Sequence, residues 1–186
     1  MDKKQQLLNA ALPLFVEYGF HGTPTSKIAQ AAGVANGTLF HYFSTKDALI
    51  AALYIDIKTE MSAYINTNTK PETSLKATMK GYYLATLYWA IDHKTAFKYI
   101  EQFNSSPFIG NIAPEAIEKQ IEPHLQMFQE GIEAGLLKAM PVRFIYTLVM
   151  SHTYGLNHYL TSHDLSKVQQ HEMISDAFEM LWKMLS

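Results

Sequence analysis

Residues 25–43 read Thr-Ser-Lys-Ile-Ala-Gln-Ala-Ala-Gly-Val-Ala-Asn-Gly-Thr-Leu-Phe-His-Tyr-Phe, and their types and spacing suit the reading of a DNA major groove. One short helix is expected from Ser26 to Ala32, stopped by Gly33, and a second from Asn36 to Tyr42. A helix-turn-helix needs a small residue where one helix crosses close over the other, and Ala29 supplies it. Gly33 supplies the left-handed backbone of the turn. Ile28, Val34, Leu39 and Phe43 would then point inward and set the angle between the helices. Ala35, Asn36, Gly37, Thr38, His41 and part of Tyr42 remain outward. Small groups let the backbone approach, and Asn, Thr and His pair with donors and acceptors on base edges.

Phosphate sites are expected on either side of this pair. Thr25 reads as the N-cap of the first helix, offering its hydroxyl and the amides that follow. Ser44 and Asp47 have capping-box spacing, so a new helix should begin there, with its free amides and the Lys46 ammonium sharing one phosphate. A helix, a glycine and a helix are common in any all-α protein. It is the joint occurrence of Ala29, Gly33, Val34 and Leu39, followed by a capped lysine, that favours DNA binding over a purely structural turn.

These elements sit in a chain of 186 residues with a net charge of −2. The sum argues weakly against a nucleic-acid partner, but its distribution does not. Residues 1–50 hold Lys3, Lys4, Lys27 and Lys46 against Asp2, Glu17 and Asp47, so the positive end coincides with the motif. There is no cysteine, which excludes disulfide scaffolds, thiolate zinc sites and cysteine nucleophiles. The opening Met-Asp-Lys-Lys-Gln-Gln is unlike a signal peptide, and no apolar run reaches the length of a membrane span. A soluble, cytoplasmic protein is expected.

Helical periodicity runs throughout. Leu7, Leu8, Ala11, Leu12, Phe15 and Val16 form one stripe ending at Gly19, with a kink expected at Pro13. Further helices are expected over about 48–65, 75–90 and 95–103. A loop over 104–113 leads to a helix ending near Gly135, with Pro123 as a kink or restart. The last two helices are expected over 142–161 and 167–184. The fold class is all-α, with about nine helices. A helix-turn-helix domain at 1–47 would precede a ligand-binding and dimerisation domain at 48–186.

The segment from Gly19 to Leu49, including Gly-Phe-His-Gly-Thr-Pro-Thr-Ser-Lys-Ile-Ala-Gln-Ala-Ala-Gly-Val and Gly-Thr-Leu-Phe-His-Tyr-Phe-Ser-Thr-Lys-Asp-Ala-Leu, strongly resembles the tetracycline-repressor (TetR) family. The resemblance is specific over about the first 50 residues. It implies a homodimeric transcriptional regulator, usually a repressor, that binds a palindromic operator and responds to a small molecule. Its DNA contacts map onto Thr25, Ser26, Ala35, Asn36, Gly37, Thr38, Phe40, His41, Tyr42 and Lys46. Phe40 departs from the family's usual Tyr, so any phosphate contact through that hydroxyl is lost. Pro13 and Pro24 are also untypical of the family.

Beyond residue 48 the residues speak less directly. Met79, Tyr82, Tyr83, Trp89, Phe103, Phe128 and Met150 could line an apolar cavity, with Thr86, His152 and Asn157 as polar handles. Each, taken alone, is better explained as ordinary core. The last two helices carry an apolar surplus, Ile145, Leu148, Val149 and Leu156 on one and Ile174, Phe178, Leu181 and Trp182 on the other. Two such pairs would build a four-helix bundle across a two-fold axis; the alternative is that these faces pack on the body of the same chain. The eight histidines include no His-x-x-x-His pair and none has Glu three residues before it, so no metal and no cofactor is expected. The competing reading is an all-α enzyme or small-molecule carrier with a structural helix-turn-helix. No nucleophile–base or carboxylate pair can be assembled for it.

Overall fold

The computed structural model describes residues 2–70, 72–106 and 114–186. Among these the chain forms nine helices and no strand: α1 Lys3–Gly22, α2 Thr25–Ala31, α3 Asn36–Tyr42, α4 Lys46–Asn68, α5 Leu75–Asp92, α6 Lys94–Asn104, α7 Pro114–Glu133, α8 Val142–Ser162 and α9 Lys167–Leu185. The loop expected at 104–113 lies mostly outside the described residues. No helix among the described residues is long and apolar enough to cross a membrane. Packing groups residues 1–60 with 95–118 in one compact unit, and 61–94 with 119–186 in a second. The boundary expected at residue 47 falls in the first turn of α4, which belongs to both units.

In the first unit, α1 buries Leu7, Leu8, Ala11 and Phe15, the stripe expected from its periodicity. The helix passes through Pro13. Its backbone leaves helical angles at Gly19 instead, where φ is +74°. Buried Thr23 secures the chain after this break, its hydroxyl lying 2.8 Å from the Gly19 carbonyl oxygen and 3.1 Å from that of Leu14. α6 braces the unit with aromatic rings. Phe103 stacks on Tyr54 of α4 at 4.2 Å and meets Phe20 edge-on, while Tyr99 packs between Phe15 and Phe20. The Tyr99 hydroxyl donates to the Ile50 carbonyl at 2.8 Å, so a buried polar group is satisfied. Phe103, expected to line a pocket, is therefore an aromatic brace of this unit.

In the second unit, α5, α8 and α9 pack on one another around Met79, Tyr83, Leu87, Phe128, Ile145, Leu160, Ile174, Phe178, Leu181 and Leu185. Lys76 and Lys80 of α5 grip Glu179 of α9 at 2.6 and 3.0 Å. α9 begins with a capping box in which Ser166 and Gln169 exchange hydrogen bonds. α7 continues through Pro123 and ends where Gly131 lets Leu75 and Leu137 approach too closely for any Cβ.

One expectation about this region needs correction. Ile145, Ile174, Phe178 and Leu181, assigned to a dimer face, are buried inside the unit itself. Leu148, Val149, Leu156 and Trp182 are half-buried against the same core. An apolar stripe shows that a helix face is covered, not by which chain.

One buried residue breaks the apolar pattern. Lys58, in mid-α4, is 3% exposed, and its ammonium has no hydrogen-bond or ion-pair partner among the described residues. Burial alone pulls its pKa from 10.5 down to about 8. The folded state therefore binds this proton less tightly than the unfolded chain. The resulting destabilisation is complete below about pH 8 and is relieved as pH rises towards 10.5. Lys58→Met should raise stability at pH 7 by on the order of 3 kcal/mol. The advantage should shrink as pH rises from about 8 to 10.5, as read by denaturant unfolding across pH.

Candidate nucleic-acid interface

The helix-turn-helix forms by local means that can be followed atom by atom. α2 ends in a Schellman motif: the Val34 amide donates to the Ala29 carbonyl and the Gly33 amide to that of Gln30, both at 3.0 Å. Gly33 takes φ +68°, a conformation that costs a residue with a Cβ about 1–2 kcal/mol. Ile28, Ala29, Leu39 and Phe43 are buried, and Val34 is half-buried, so the expected inward set is observed. α2 packs on both α1 and α3.

What remains outside on α3 is the expected reading surface. Ala35, Asn36, Gly37, Phe40, His41 and Tyr42 are exposed and Thr38 is half-exposed. The N-cap position is Ala35, which has no side-chain capping bond, so Asn36 is the first helical residue and not the cap. Its amide has no partner among the described residues and is available to a base edge. His41 rests edge-on against Tyr42 at 5.3 Å. Phe40 presents an apolar ring with no polar atom to the same side.

Both flanking caps differ from expectation by one residue. Pro24 occupies the N-cap of α2, its fixed φ suiting the entry, so Thr25 is the first helical residue and caps nothing. Ser26 beside it is exposed. At α4 the cap is Thr45, whose hydroxyl accepts from the Ala48 amide at 3.0 Å; Ser44 lies one residue too early. Lys46 thus opens the helix at the end that attracts anions. Its ammonium reaches the His21 carbonyl at 3.4 Å, and partial burial lowers its pKa against the opposing charge of Asp47.

Two features were not legible beforehand. Thr23 anchors the α1–α2 connection, and Lys27 holds its ammonium 3.5 Å over the exposed Tyr18 ring. Both join residues across a turn, so neither helical periodicity nor a local motif exposes them.

The expected ligand handles scatter. A cavity of about 400 Å³ in the second unit is lined by α4, α5 and α7, and Tyr82 alone of the expected set lines it, beside Met61, Ile65, His124 and Met127. Met79, Tyr83 and Phe128 are core, and Trp89 is fully buried with the His93 ring stacked on it. Tyr83 and His152 satisfy each other at 2.8 Å; burial pushes the hydroxyl pKa up and the imidazole pKa down. Thr86, Met150 and Asn157 are half-buried, and Asn157 Oδ1 is buried without a partner.

An all-α chain carrying two short helices joined by a left-handed glycine, with an exposed polar face on the second, is a helix-turn-helix protein. Residues 7–53 match the family described as "Bacterial regulatory proteins, tetR family". The HTH-type transcriptional regulator RutR of Escherichia coli is 47% identical over 51 residues, 27% of this chain and 24% of RutR. The chain thus matches about a quarter of that relative's length. YhgD of Bacillus subtilis, an uncharacterized HTH-type transcriptional regulator, is 22% identical over 143 residues, 74% of this chain and 73% of YhgD. A crystal structure from Shewanella sp. PV-4 assigned to the same family superposes with a TM-score of 0.91 at 28% identity, covering 100% of this chain and 98% of that one. Residues 7–53 thus match the TetR family, and the whole chain is similar in fold to a solved structure assigned to that family.

The interface separates two kinds of contact. Lys46→Ala should weaken binding to all duplexes alike and reduce the salt slope by about one counterion. Asn36→Ala should cost about 1–3 kcal/mol on the preferred operator and far less on random DNA, with the salt slope nearly unchanged. Because Asn36 caps nothing, its melting temperature should stay at the wild-type value. Titrations of both variants on operator and random duplex across salt, with thermal melts, check this.

Proposed function

We propose that the protein is a ligand-responsive repressor that binds a palindromic operator as a homodimer and is released by a small, partly apolar molecule. The observation that carries the DNA-binding part is the exposed, uncapped polar face of α3, held by the Gly33 turn. On this reading Thr25, Ser26 and Lys46 meet phosphates, and Ala35, Asn36, Gly37, Thr38, Phe40, His41 and Tyr42 lie in the major groove. Residues 1–47 are the reading head, residues 48–186 carry effector and partner, and the protein works in the cytoplasm. The relatives are transcriptional regulators, which favours this reading over an enzyme or carrier. Selecting bound sequences from random duplexes tests it: recovery of a palindrome supports the reading, and failure to enrich any sequence sinks it.

The second copy is assigned to the outer faces of α8 and α9. These expose Phe144, Tyr159, Val168, Met180 and Met184, with Met180 68% exposed. Ser151 and Gly155 lie between Phe144 and Tyr159 on the same side of α8, and a Cβ at Gly155 would meet nothing within 4 Å. Small residues there permit close helix approach, as a four-helix bundle requires. Such a dimer sets its α3 helices one DNA turn apart, roughly 34–36 Å or a multiple. Effector action follows through α4, which begins at Lys46 and continues through the following six turns. A ligand that shifts α4 alters the reading head, and operator must then weaken ligand by the same factor.

The two kinds of apolar residue on α9 have opposite fates on substitution. Met180→Lys should leave the fold intact, halve the mass in sedimentation and abolish operator binding. Phe178→Ala should instead cost about 3–5 kcal/mol of stability, since that ring lies in the unit's own core.

A further inference from the structure

We propose that Phe40 is a specificity-determining residue, whose ring packs on the C5 methyl group of a thymine in each half-site. This rests on the DNA-binding reading above. α3 turns by about 100° per residue, which sets Gly37 and His41 opposite the buried Leu39. Asn36 and Phe40 then share one flank of the helix, and Thr38 and Tyr42 the other. Phe40 is 44% exposed, while Leu39 before it and Phe43 three residues on are buried. The fold takes its apolar anchors from those two and leaves this ring open. Gly37, next to it on the outward face, has no side chain, and even a Cβ there would meet nothing within 4 Å. A base edge can therefore come up to the backbone of α3 with the Phe40 ring at its side.

The chemistry of the ring decides what it meets. A phenyl group has neither donor nor acceptor, so a phosphate, which suits Lys46 and the amides beside it, gains nothing from Phe40. On the major-groove edges of the four bases there is one apolar group, the thymine methyl. Deoxyribose is the other apolar surface of a duplex, but it lies along the backbone and is the same in every sequence. Phe40 instead shares its flank with Asn36, a side chain of the type that pairs with the N6 and N7 atoms of adenine. Four residues of helix span about 6 Å, or roughly two base steps when the helix follows the groove. The flank thus specifies an adenine and, about two base pairs away, a thymine. Tyr42, on the opposite flank, keeps a hydroxyl and rests edge-on against His41, which suits it to an acceptor and not to a methyl group.

The test uses the full chain and the operator recovered from random duplexes. Each thymine is replaced in turn by deoxyuridine, which lacks only the methyl group and keeps its pairing. In wild type, one such replacement per half-site should weaken binding about fourfold, the worth of one buried methyl-sized group, and the two together roughly fifteenfold. Phe40→Ala should bind thymine and deoxyuridine duplexes equally, closing the mutant cycle, with a wild-type melting temperature because the ring lies outside the core. Phe40→Tyr should keep the discrimination, and so should Tyr42→Ala. A half-site without thymine, neutral replacement at every thymine, or a methyl effect that persists in Phe40→Ala overturns the proposal and leaves the DNA-binding reading in place. A loss in Phe40→Ala that is equal on all duplexes puts the ring against deoxyribose and overturns it as well. Failure to enrich any sequence sinks the DNA-binding reading, and the proposal with it.

Discussion

A helix of seven residues makes too few internal hydrogen bonds to persist in water, and the reading surface of this protein is built from two of them. α2 and α3 exist because Ile28, Ala29, Leu39 and Phe43 leave water together with the apolar stripe of α1. That shared burial depends on a reversal in two residues, which only the left-handed backbone at Gly33 provides. The Schellman bonds spend the last free carbonyls of α2 on the turn itself. Direction and exposure of the α3 side chains then follow: once Leu39 and Phe43 are fixed inward, Asn36, Gly37 and Phe40 have nowhere to go but outward.

The support beneath this surface is aromatic. α6 is far away in sequence, yet Tyr99 and Phe103 reach both α1 and α4. Rings suit this task because each buries a large area with few rotatable bonds, and edge-on contacts add a directional preference. The polar cost of burying a tyrosine is met by the Ile50 carbonyl, and Thr23 meets the cost of breaking α1 at Gly19. In the second unit the same rule holds, with Tyr83 and His152 paired and Thr153 donating to the Val149 carbonyl. Against this habit of satisfying buried polar atoms, Gln102 Oε1 and Asn157 Oδ1 are exceptions among the described residues.

How much was legible in the sequence depended on how local the cause was. The helix-turn-helix could be read because a crossing alanine, a turn glycine and inward residues at fixed offsets act within about twenty residues. Caps were misplaced by one position at α2 and α4, since Pro24 and Thr45 compete with equally plausible neighbours and only the backbone angles decide. Beyond residue 48 the stripes located helices correctly but not what covered them. Phe178 and Leu181 on α9 are one or two residues from Met180, yet the first two are core and the third is open to solvent.

The sequence by itself therefore determined the helical class, the positions of the helices and the exposed face of α3, because periodicity and turn chemistry act over one or two turns of chain. Tertiary structure alone decided which apolar faces are core, that Phe103 braces the first unit, that Tyr82 lines a cavity, and that Lys58 is enclosed. In one dimension a lysine among Ile57 and Thr59 looks like any solvated charge on a helix. Its burial is a property of what packs against that face, and no pattern within α4 records it.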